Sequence, residues 1–143
     1  MSKIIGIVSQ KGGVAKTSTC RNLATVLVKK GYKVLAVDGD NQASLTDCFG
    51  IGRPEKLEVS LYHLMMDVMN DRDLPAKEKY ILVRDGVDII PSSIELSAIE
   101  ISLVNAMSRE YVLKTILDDI KDDYDYVLLD SLCVATHKQS YAQ

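Results

Sequence analysis

Short, mainly apolar runs alternate along the chain with longer segments in which apolar residues recur at helical spacing. Apolar runs rich in β-branched residues are typical of strands buried on both faces of a parallel sheet. These runs lie at residues 4–8, 34–37, 87–91 and 124–130. The helical patterns lie at residues 17–30, 57–69, 94–103 and 109–121. Gly31 is placed to end the first predicted helix, and Ser92 or Ser93 could cap the third.

The order of these elements predicts the fold. The first 37 residues read strand, loop, helix, strand, which is a βαβ unit. Continued alternation predicts an α/β fold with a mainly parallel sheet, helices on both faces and right-handed crossovers. We expect residues 1–143 to form a single domain, in which 131–143 is an atypical tail with little apolar periodicity.

Composition narrows the class of protein. Apolar residues make up 47% of the chain, charged residues 26%, and the formal net charge is -3. This balance is typical of a globular protein and gives no overall attraction to nucleic acid or anionic lipid. Cys20, Cys48 and Cys133 lack the spacing of a disulfide framework or a zinc site. With no signal-peptide pattern and no apolar stretch of membrane-spanning length, we expect a cytoplasmic protein with no membrane partner.

The loop after the first predicted strand carries the clearest chemical signal. It reads KGGVAKT over residues 11–17. Consecutive glycines let backbone N–H groups converge on phosphate oxygens, Lys16 adds a positive charge, and the Thr17 hydroxyl is placed to bind Mg²⁺. The plainer alternative is a glycine turn between strand and helix. Gln10 and Ala15 stand where the general pattern GxxxxGK(S/T) has glycine, and Ala15 would be strained by about 1–2 kcal/mol if its φ were positive.

Three acidic residues close two of the predicted strands. Asp38 and Asp40 follow the second strand, and Asp130 ends the fourth. Side chains at the carboxyl edge of a parallel sheet meet the ligand site, where carboxylates can support Mg²⁺ or orient a water molecule on the γ-phosphate. The alternative is that these acids are solvated loop residues or helix caps.

Residues 9–19, SQKGGVAKTST, resemble the deviant Walker A motif KGGxGK(S/T)T of the ParA/MinD family of ATPases, with Lys11 as the signature early lysine. Residues 34–42, 89–92 and 124–130 are similar to further motifs of that family, in the same order. The likeness is to the chromosome- and plasmid-partitioning (ParA/Soj) branch. It implies a P-loop NTPase fold of the deviant Walker A type, incomplete relative to the family because the chain is shorter than its members.

The resemblance also implies ATP and Mg²⁺ as cofactors and a role for each matching residue. Lys11 would reach the phosphates of a partner subunit, Lys16 the β- and γ-phosphates, and Ser18 the α-phosphate. Asp40 would position the hydrolytic water, while Thr17, Asp38 and Asp130 would serve the metal. The complete set of implied nucleotide-binding residues is Lys11, Gly12, Gly13, Val14, Ala15, Lys16, Thr17 and Ser18.

Two functional hypotheses remain open at this point. The first is a slow Mg²⁺-dependent ATPase switch, a homodimer with a partition-protein partner, acting in chromosome or plasmid partitioning. The family also binds DNA non-specifically, although most of its basic surface has no counterpart here. The second is a non-hydrolysing nucleotide-binding or interaction module. Under either hypothesis we expect an open sheet edge at the first strand, available for dimerisation or strand exchange.

Overall fold

The computed structural model describes residues 2–7, 14–40, 42–52, 58–96, 98, 106–130 and 141–142, and for 14–16, 106–109 and 141–142 it describes the backbone. The strands are β1 Lys3–Ile7, β2 Val34–Asp38, β3 Leu82–Arg84, β4 Val87–Ile90, β5 Tyr126–Asp130 and β6 Tyr141–Ala142. The helices are α1 Val14–Lys29, α2 Ser44–Cys48, α3 Leu61–Met69 and α4 Ala106–Asp118, with 3₁₀ turns at Lys77–Lys79 and Lys121–Asp123.

The strands form one sheet in the order β3-β4-β2-β5-β1-β6. Every neighbouring pair is parallel except β3 and β4, which are antiparallel. The mainly parallel α/β sheet predicted from the sequence is therefore confirmed. The register places Ile7, Asp130 and Asp38 side by side in one row across β1, β5 and β2, at the carboxyl ends of these strands.

Alternation along the buried strands divides the core into two layers. Leu35 and Val37 pack with α3 and α4 on one face of the sheet. Val34 and Ala36 face the other way, toward α1 and α2. Helices therefore cover both faces, as predicted, because strands buried on both sides must offer apolar side chains in both directions. Since side chains alternate with a period of two, Asp38 falls on the α1 face of β2.

The hairpin joining β3 to β4 was not predicted. Its two turn residues, Asp85 and Gly86, have φ angles of 54° and 79°. Positive φ at both central positions is the type I′ geometry that matches the twist of paired strands, and Asp-Gly is among its preferred sequences. The Asp-Gly pair within 81–90 was thus a readable hairpin signal, and only its second strand was identified from the apolar pattern.

The helices differ from the predictions, and α1 and α4 each begin three residues earlier than expected. The short helix α2 was not predicted. Helix α3 begins at Leu61 instead of residue 57, after a turn in which the Ser60 N–H donates to Nδ1 of His63 at 2.9 Å. Of the helix predicted over 94–103, residues 94–96 and 98 are described, and Leu96 and Ala98 have helical backbone. The rest of that prediction lies outside the described residues.

The expectation of an open edge at β1 needs correction. In the structure β6, which lies in the tail expected to be atypical, pairs parallel with β1 and matches Gly6 to Tyr141 and Ile7 to Ala142. Strand β6 therefore covers the carboxyl end of this edge by the same backbone hydrogen bonding that would recruit another strand.

Candidate functional site

Two buried carboxylates meet at the carboxyl edge of the sheet. Asp38 and Asp130 end adjacent parallel strands, are paired directly in the register, and have no exposed surface. The Gly39 N–H donates to the Asp130 carbonyl at 2.9 Å, which extends the pairing one residue past the strand. Two like charges are thereby held close together where water is excluded, an arrangement that is costly unless a cation or a proton compensates.

Thr17 reaches this pair from α1. It lies in the first turn and a half of the helix, is 4% exposed, and its Oγ1 donates to Oδ2 of Asp130 at 3.3 Å. Of the residues predicted to bind metal, the structure therefore brings Thr17 directly to Asp130, with Asp38 on the neighbouring strand.

The carboxylate of Asp38 is held by the protein itself. Its Oδ2 accepts bonds from the Thr46 N–H at 2.8 Å and the Thr46 hydroxyl at 2.6 Å, and its Oδ1 accepts the Asp40 N–H at 3.0 Å. Burial raises the pKa of the Asp38 carboxyl to about 6; the bonds from Thr46 and Asp40 oppose this rise, and the nearby Asp130 charge adds to it. Asp38 thus also fills the helix-capping role that the sequence left open, at the start of α2.

Asp40 occupies a half-buried turn beyond β2. Its Oδ1 accepts the Gln42 N–H at 3.0 Å, and its carbonyl accepts the Ser92 hydroxyl at 2.7 Å and the Ala43 N–H at 2.9 Å. The main chain of Asp40 is therefore fixed from two sides, and its partly exposed carboxylate lies at the rim of the same edge.

The predicted phosphate loop is described only in part. Lys11, Gly12 and Gly13 lie outside the described residues, as do the side chains of Val14, Ala15 and Lys16. The backbone from Val14 onward is helical, and Ser18 is half-buried. The N-terminus of α1 therefore opens beside the carboxyl edge, where its free N–H groups and positive dipole end favour an anion.

The donor set suits Mg²⁺. One hydroxyl and two carboxylates offer hard oxygen atoms, and Mg²⁺ typically takes one or two carboxylates and completes its shell with water and phosphate oxygens. In the part of the chain that the structure describes, no three His, Cys, Asp or Glu residues cluster as a self-sufficient metal site. Thr17, Asp38 and Asp130 therefore fit a metal that a bound phosphate helps to hold, not a closed structural site.

Two residues of this edge were not assigned a role here from the sequence. Thr46 contacts Asp38. Ser92, one of two serines that could cap a helix, donates its hydroxyl to the Asp40 carbonyl and its N–H to Oγ1 of Thr46 at 3.0 Å. Ser92 follows β4 at the same edge, so the rule that singled out the three acids could have found it. No sequence pattern marks Thr46, because its contact depends on how α2 folds back on β2.

Buried Cys20 packs beneath the site on α1. Burial raises the pKa of its thiol, and the charges of Asp130 and Asp38 raise it further. The thiol therefore stays neutral and serves as a packing residue.

The sheet is mainly parallel and has helices on both faces. At its carboxyl edge, a hydroxyl and carboxylates lie where a helix begins after a glycine-rich loop. Together these features define a P-loop NTPase-type nucleotide-binding domain. A family model described as an AAA domain matches residues 2–136. The chain is 41% identical to sporulation initiation inhibitor protein Soj of Bacillus subtilis, over 91% of this chain and 49% of Soj. It is 36% identical to chromosome partitioning protein ParA of Caulobacter vibrioides, over 90% of this chain and 47% of ParA.

Among solved structures, cobyrinic acid a,c-diamide synthase from Mycobacterium smegmatis with bound ADP and magnesium superposes with a TM-score of 0.78 at 33% identity, covering 91% of this chain and 51% of that one. The chain belongs to the ParA/Soj–MinD family of ATPases with a deviant Walker A motif, in its partitioning branch. It spans about half the length of the relatives it matches. Within the described residues, no helix is both long and apolar enough to cross a membrane.

Proposed function

We propose that this chain is the nucleotide-binding part of a ParA-type switch, which binds ATP with Mg²⁺ and slowly hydrolyses it to ADP and phosphate in chromosome or plasmid partitioning. The observation that carries the proposal is the meeting of Thr17, Asp130 and Asp38 at the start of α1, with the Thr17 hydroxyl 3.3 Å from the Asp130 carboxylate. The bound ADP and magnesium of the Mycobacterium smegmatis structure support the same ligands here.

Each residue has a proposed task. The backbone of 12–15 and the N-terminus of α1 would bind phosphate oxygens, and Lys16 and Ser18 would add a charge and a hydroxyl. Thr17 and Asp130 would hold Mg²⁺ with support from Asp38. When bound, the metal neutralises phosphate charge. Asp40, at the rim, would orient the attacking water by accepting its proton in a hydrogen bond.

The proposed assembly follows the family. Lys11 would act across a homodimer interface, and ATP-dependent dimerisation would recruit a partition-protein partner in the cytoplasm. The net charge of -3 gives no overall attraction to a polyanion such as DNA. A basic surface would have to be local.

The alternative function is a non-hydrolysing nucleotide-binding or interaction module. It is favoured by the closed turn at Asp40, whose Oδ1 already accepts the Gln42 N–H at 3.0 Å. A carboxylate tied into its own turn has fewer lone pairs for a water molecule. Under this alternative the chain holds Mg²⁺-ATP and turns nothing over.

Phosphate release from Mg²⁺-ATP by the purified chain separates the two functions. We expect slow release that Lys16→Ala and Asp40→Asn each reduce by at least about tenfold, as loss of a transition-state contact worth about 1.4 kcal/mol would do. Asp73→Asn, at an exposed loop carboxylate away from the edge, is the matched control and should release phosphate at the wild-type rate. Nucleotide binding without any release by the wild-type chain would establish the module instead.

A further inference from the structure

A hydrogen-bond chain links the end of β4 to the acids that follow β2. The Ser92 N–H donates to Oγ1 of Thr46 at 3.0 Å, and the Thr46 hydroxyl donates to Oδ2 of Asp38 at 2.6 Å. Ser92 also donates its own hydroxyl to the Asp40 carbonyl at 2.7 Å. Thr46 and Ser92 are each fully buried, so these bonds are shielded from competing water.

The direction of the chain is fixed by counting donors. Because Oγ1 of Thr46 receives the Ser92 N–H, its single proton is left to point at Asp38. Oδ2 of Asp38 accepts both the N–H and the hydroxyl of Thr46, which fills its two lone pairs. Among the described residues, Oδ1 accepts only the Asp40 N–H, which leaves it one lone pair. Thr46 thus determines which carboxylate oxygen of Asp38 remains available for the ligand site.

The placement of these residues follows from the sheet. Strands β2 and β4 are adjacent and parallel, with Val37 paired to Ile90, so the residues after them lie side by side. Ala43 precedes α2 with a φ of 54° and offers no side-chain cap. Thr46, at the third position of α2, therefore gives its free N–H to Asp38.

We propose that Thr46 and Ser92 are positioning residues for the nucleotide site. Thr46 sets the rotation of the Asp38 carboxylate, and Ser92 fixes both the Thr46 hydroxyl and the Asp40 main chain. This inference rests on the proposed function insofar as the oriented groups serve Mg²⁺ and water. It goes beyond that function by assigning the orientation of both acids to two residues that the proposed function leaves without a task.

A purely structural role would look different. If Thr46 only anchored α2, losing its hydroxyl would lower the melting temperature and leave the folded site unchanged. If it orients Asp38, the loss would free the carboxylate to rotate, and the Asp40 N–H, which bonds only Oδ1, would lose protection from solvent exchange.

Three threonine variants test this first in the ligand-free chain, by amide hydrogen exchange. Thr46→Val keeps the shape and removes the hydroxyl, whereas Thr46→Ser restores it. Thr115→Val, in α4, is the matched control, since the Thr115 hydroxyl bonds the Tyr111 carbonyl at 2.9 Å within its own helix. We expect the Asp40 N–H to exchange at least about tenfold faster in Thr46→Val than in wild type, equivalent to about 1.4 kcal/mol, with Thr46→Ser and Thr115→Val close to wild type.

Steady-state phosphate release then tests the catalytic consequence. Thr46→Val and Ser92→Ala should lower kcat by at least about tenfold while KM changes by less than about twofold, because the phosphate-binding groups are untouched. Ser93→Ala is the control for Ser92→Ala, because the Ser93 hydroxyl faces Ser60 at 3.4 Å and contacts neither Asp38 nor Asp40. Ser93→Ala should keep the wild-type kcat.

The outcomes are separable. Unchanged Asp40 exchange in folded Thr46→Val, or failure of Thr46→Ser to restore it, overturns the positioning role whatever the chain does to ATP. If the Asp40 N–H exchanges faster in Thr46→Val but the wild-type chain binds no nucleotide, the positioning role is supported and the proposed function is contradicted. Faster exchange together with a kcat loss that Thr46→Ser rescues supports both.

Discussion

The carboxylates at the two ends of the sheet differ in how deeply they are buried. At the amino end, a groove of about 580 Å³ is lined by polar groups that bond to one another. There the Tyr124 hydroxyl donates to Asp88 at 2.6 Å, and Lys77 pairs with Asp123 at 3.0 Å. Each of these carboxylates has its own donor, and both are at least partly exposed.

At the carboxyl end the carboxylates are fully buried, so keeping them charged costs more free energy. Asp38 and Asp130 are fully buried side by side; Asp38 accepts three hydrogen bonds from Thr46 and Asp40, and Asp130 accepts the Thr17 hydroxyl. The groove at the amino end and the proposed nucleotide site therefore lie at opposite ends of the sheet. Buried like charges beside the N-terminus of a helix are expensive for stability alone, and the proposed metal–phosphate ligand would relieve that cost.

The largest expected effect is on nucleotide affinity, which a substitution at the carboxyl end should change and one at the amino end should not. Asp130→Asn should reduce the Mg²⁺-dependent gain in ADP affinity by about tenfold to hundredfold, because it removes a charge beside the metal. Asp88→Asn, the matched change at the amino end, should alter that gain by less than about twofold. Calorimetric titration with and without Mg²⁺ measures both. Equal effects of the two variants would mean that the ends do not differ in function.

The hairpin turn at the amino end should affect stability and leave binding intact. Gly86→Ala should lower the free energy of unfolding by about 2 kcal/mol, because Gly86 has a φ of 79° and a Cβ there would lie 2.8 Å from Cγ1 of Val28. Gly50→Ala shares a positive φ of 76° with open space around it, so it isolates the backbone contribution. Urea unfolding gives the values, and a loss no greater than that of Gly50→Ala would argue against the steric contact.

The Tyr124–Asp88 hydrogen bond should show a pH signature. Burial, with the bond to Asp88 next, raises the pKa of the Tyr124 hydroxyl. The native chain therefore keeps a proton that the unfolded chain releases, so the bond's contribution of about 1.5 kcal/mol is present below the ordinary tyrosine pKa and is lost as pH rises above about 10. Urea unfolding should show wild type more stable than Tyr124→Phe at pH 7 and the gap narrowing at alkaline pH. A gap that widens would contradict this sign.

The smallest effect concerns an exposed ion pair at the amino end. Lys77→Ala should cost at most about 0.5 kcal/mol, because the Lys77 and Asp123 side chains are 36% and 59% exposed. The Lys77 ammonium also lies 5.1 Å from the Tyr124 ring centroid, a contact of comparable weakness at an exposed site. Thermal unfolding at low and high salt measures the loss of stability. A loss in Lys77→Ala larger than that in Gly86→Ala would contradict the expected order of these effects.

The fold was largely readable from the sequence, for a physical reason. Strands buried on both faces produce apolar runs, so β2 and β5 could be predicted from the sequence. Their parallel orientation was predicted from the helices that lie between them in the chain. The antiparallel strand β3 was not predicted, because its three residues are half-buried or exposed and form no apolar run. Strand β6 is shorter still.

The acids of the site could be identified from the sequence, and their supports could not. Asp38 and Asp130 were identified because each follows an apolar strand, and the structure places them in one row. The bonds from Thr46 and Ser92 join elements eight and more than fifty residues from the acids they hold. Such contacts depend on the angle at which α2 and the segment after β4 return to the sheet, which no local pattern encodes.

The most direct test of the central claim is calorimetric titration of the chain with ATP, with and without Mg²⁺, in wild type, Thr17→Val and Thr25→Val. The control lies on the same helix, where the Thr25 hydroxyl bonds the Arg21 carbonyl at 2.9 Å. We predict that Mg²⁺ strengthens binding in wild type and Thr25→Val, and that Thr17→Val loses most of this gain. Binding that ignores Mg²⁺ in wild type, or a full gain in Thr17→Val, would contradict a metal–phosphate site at this edge.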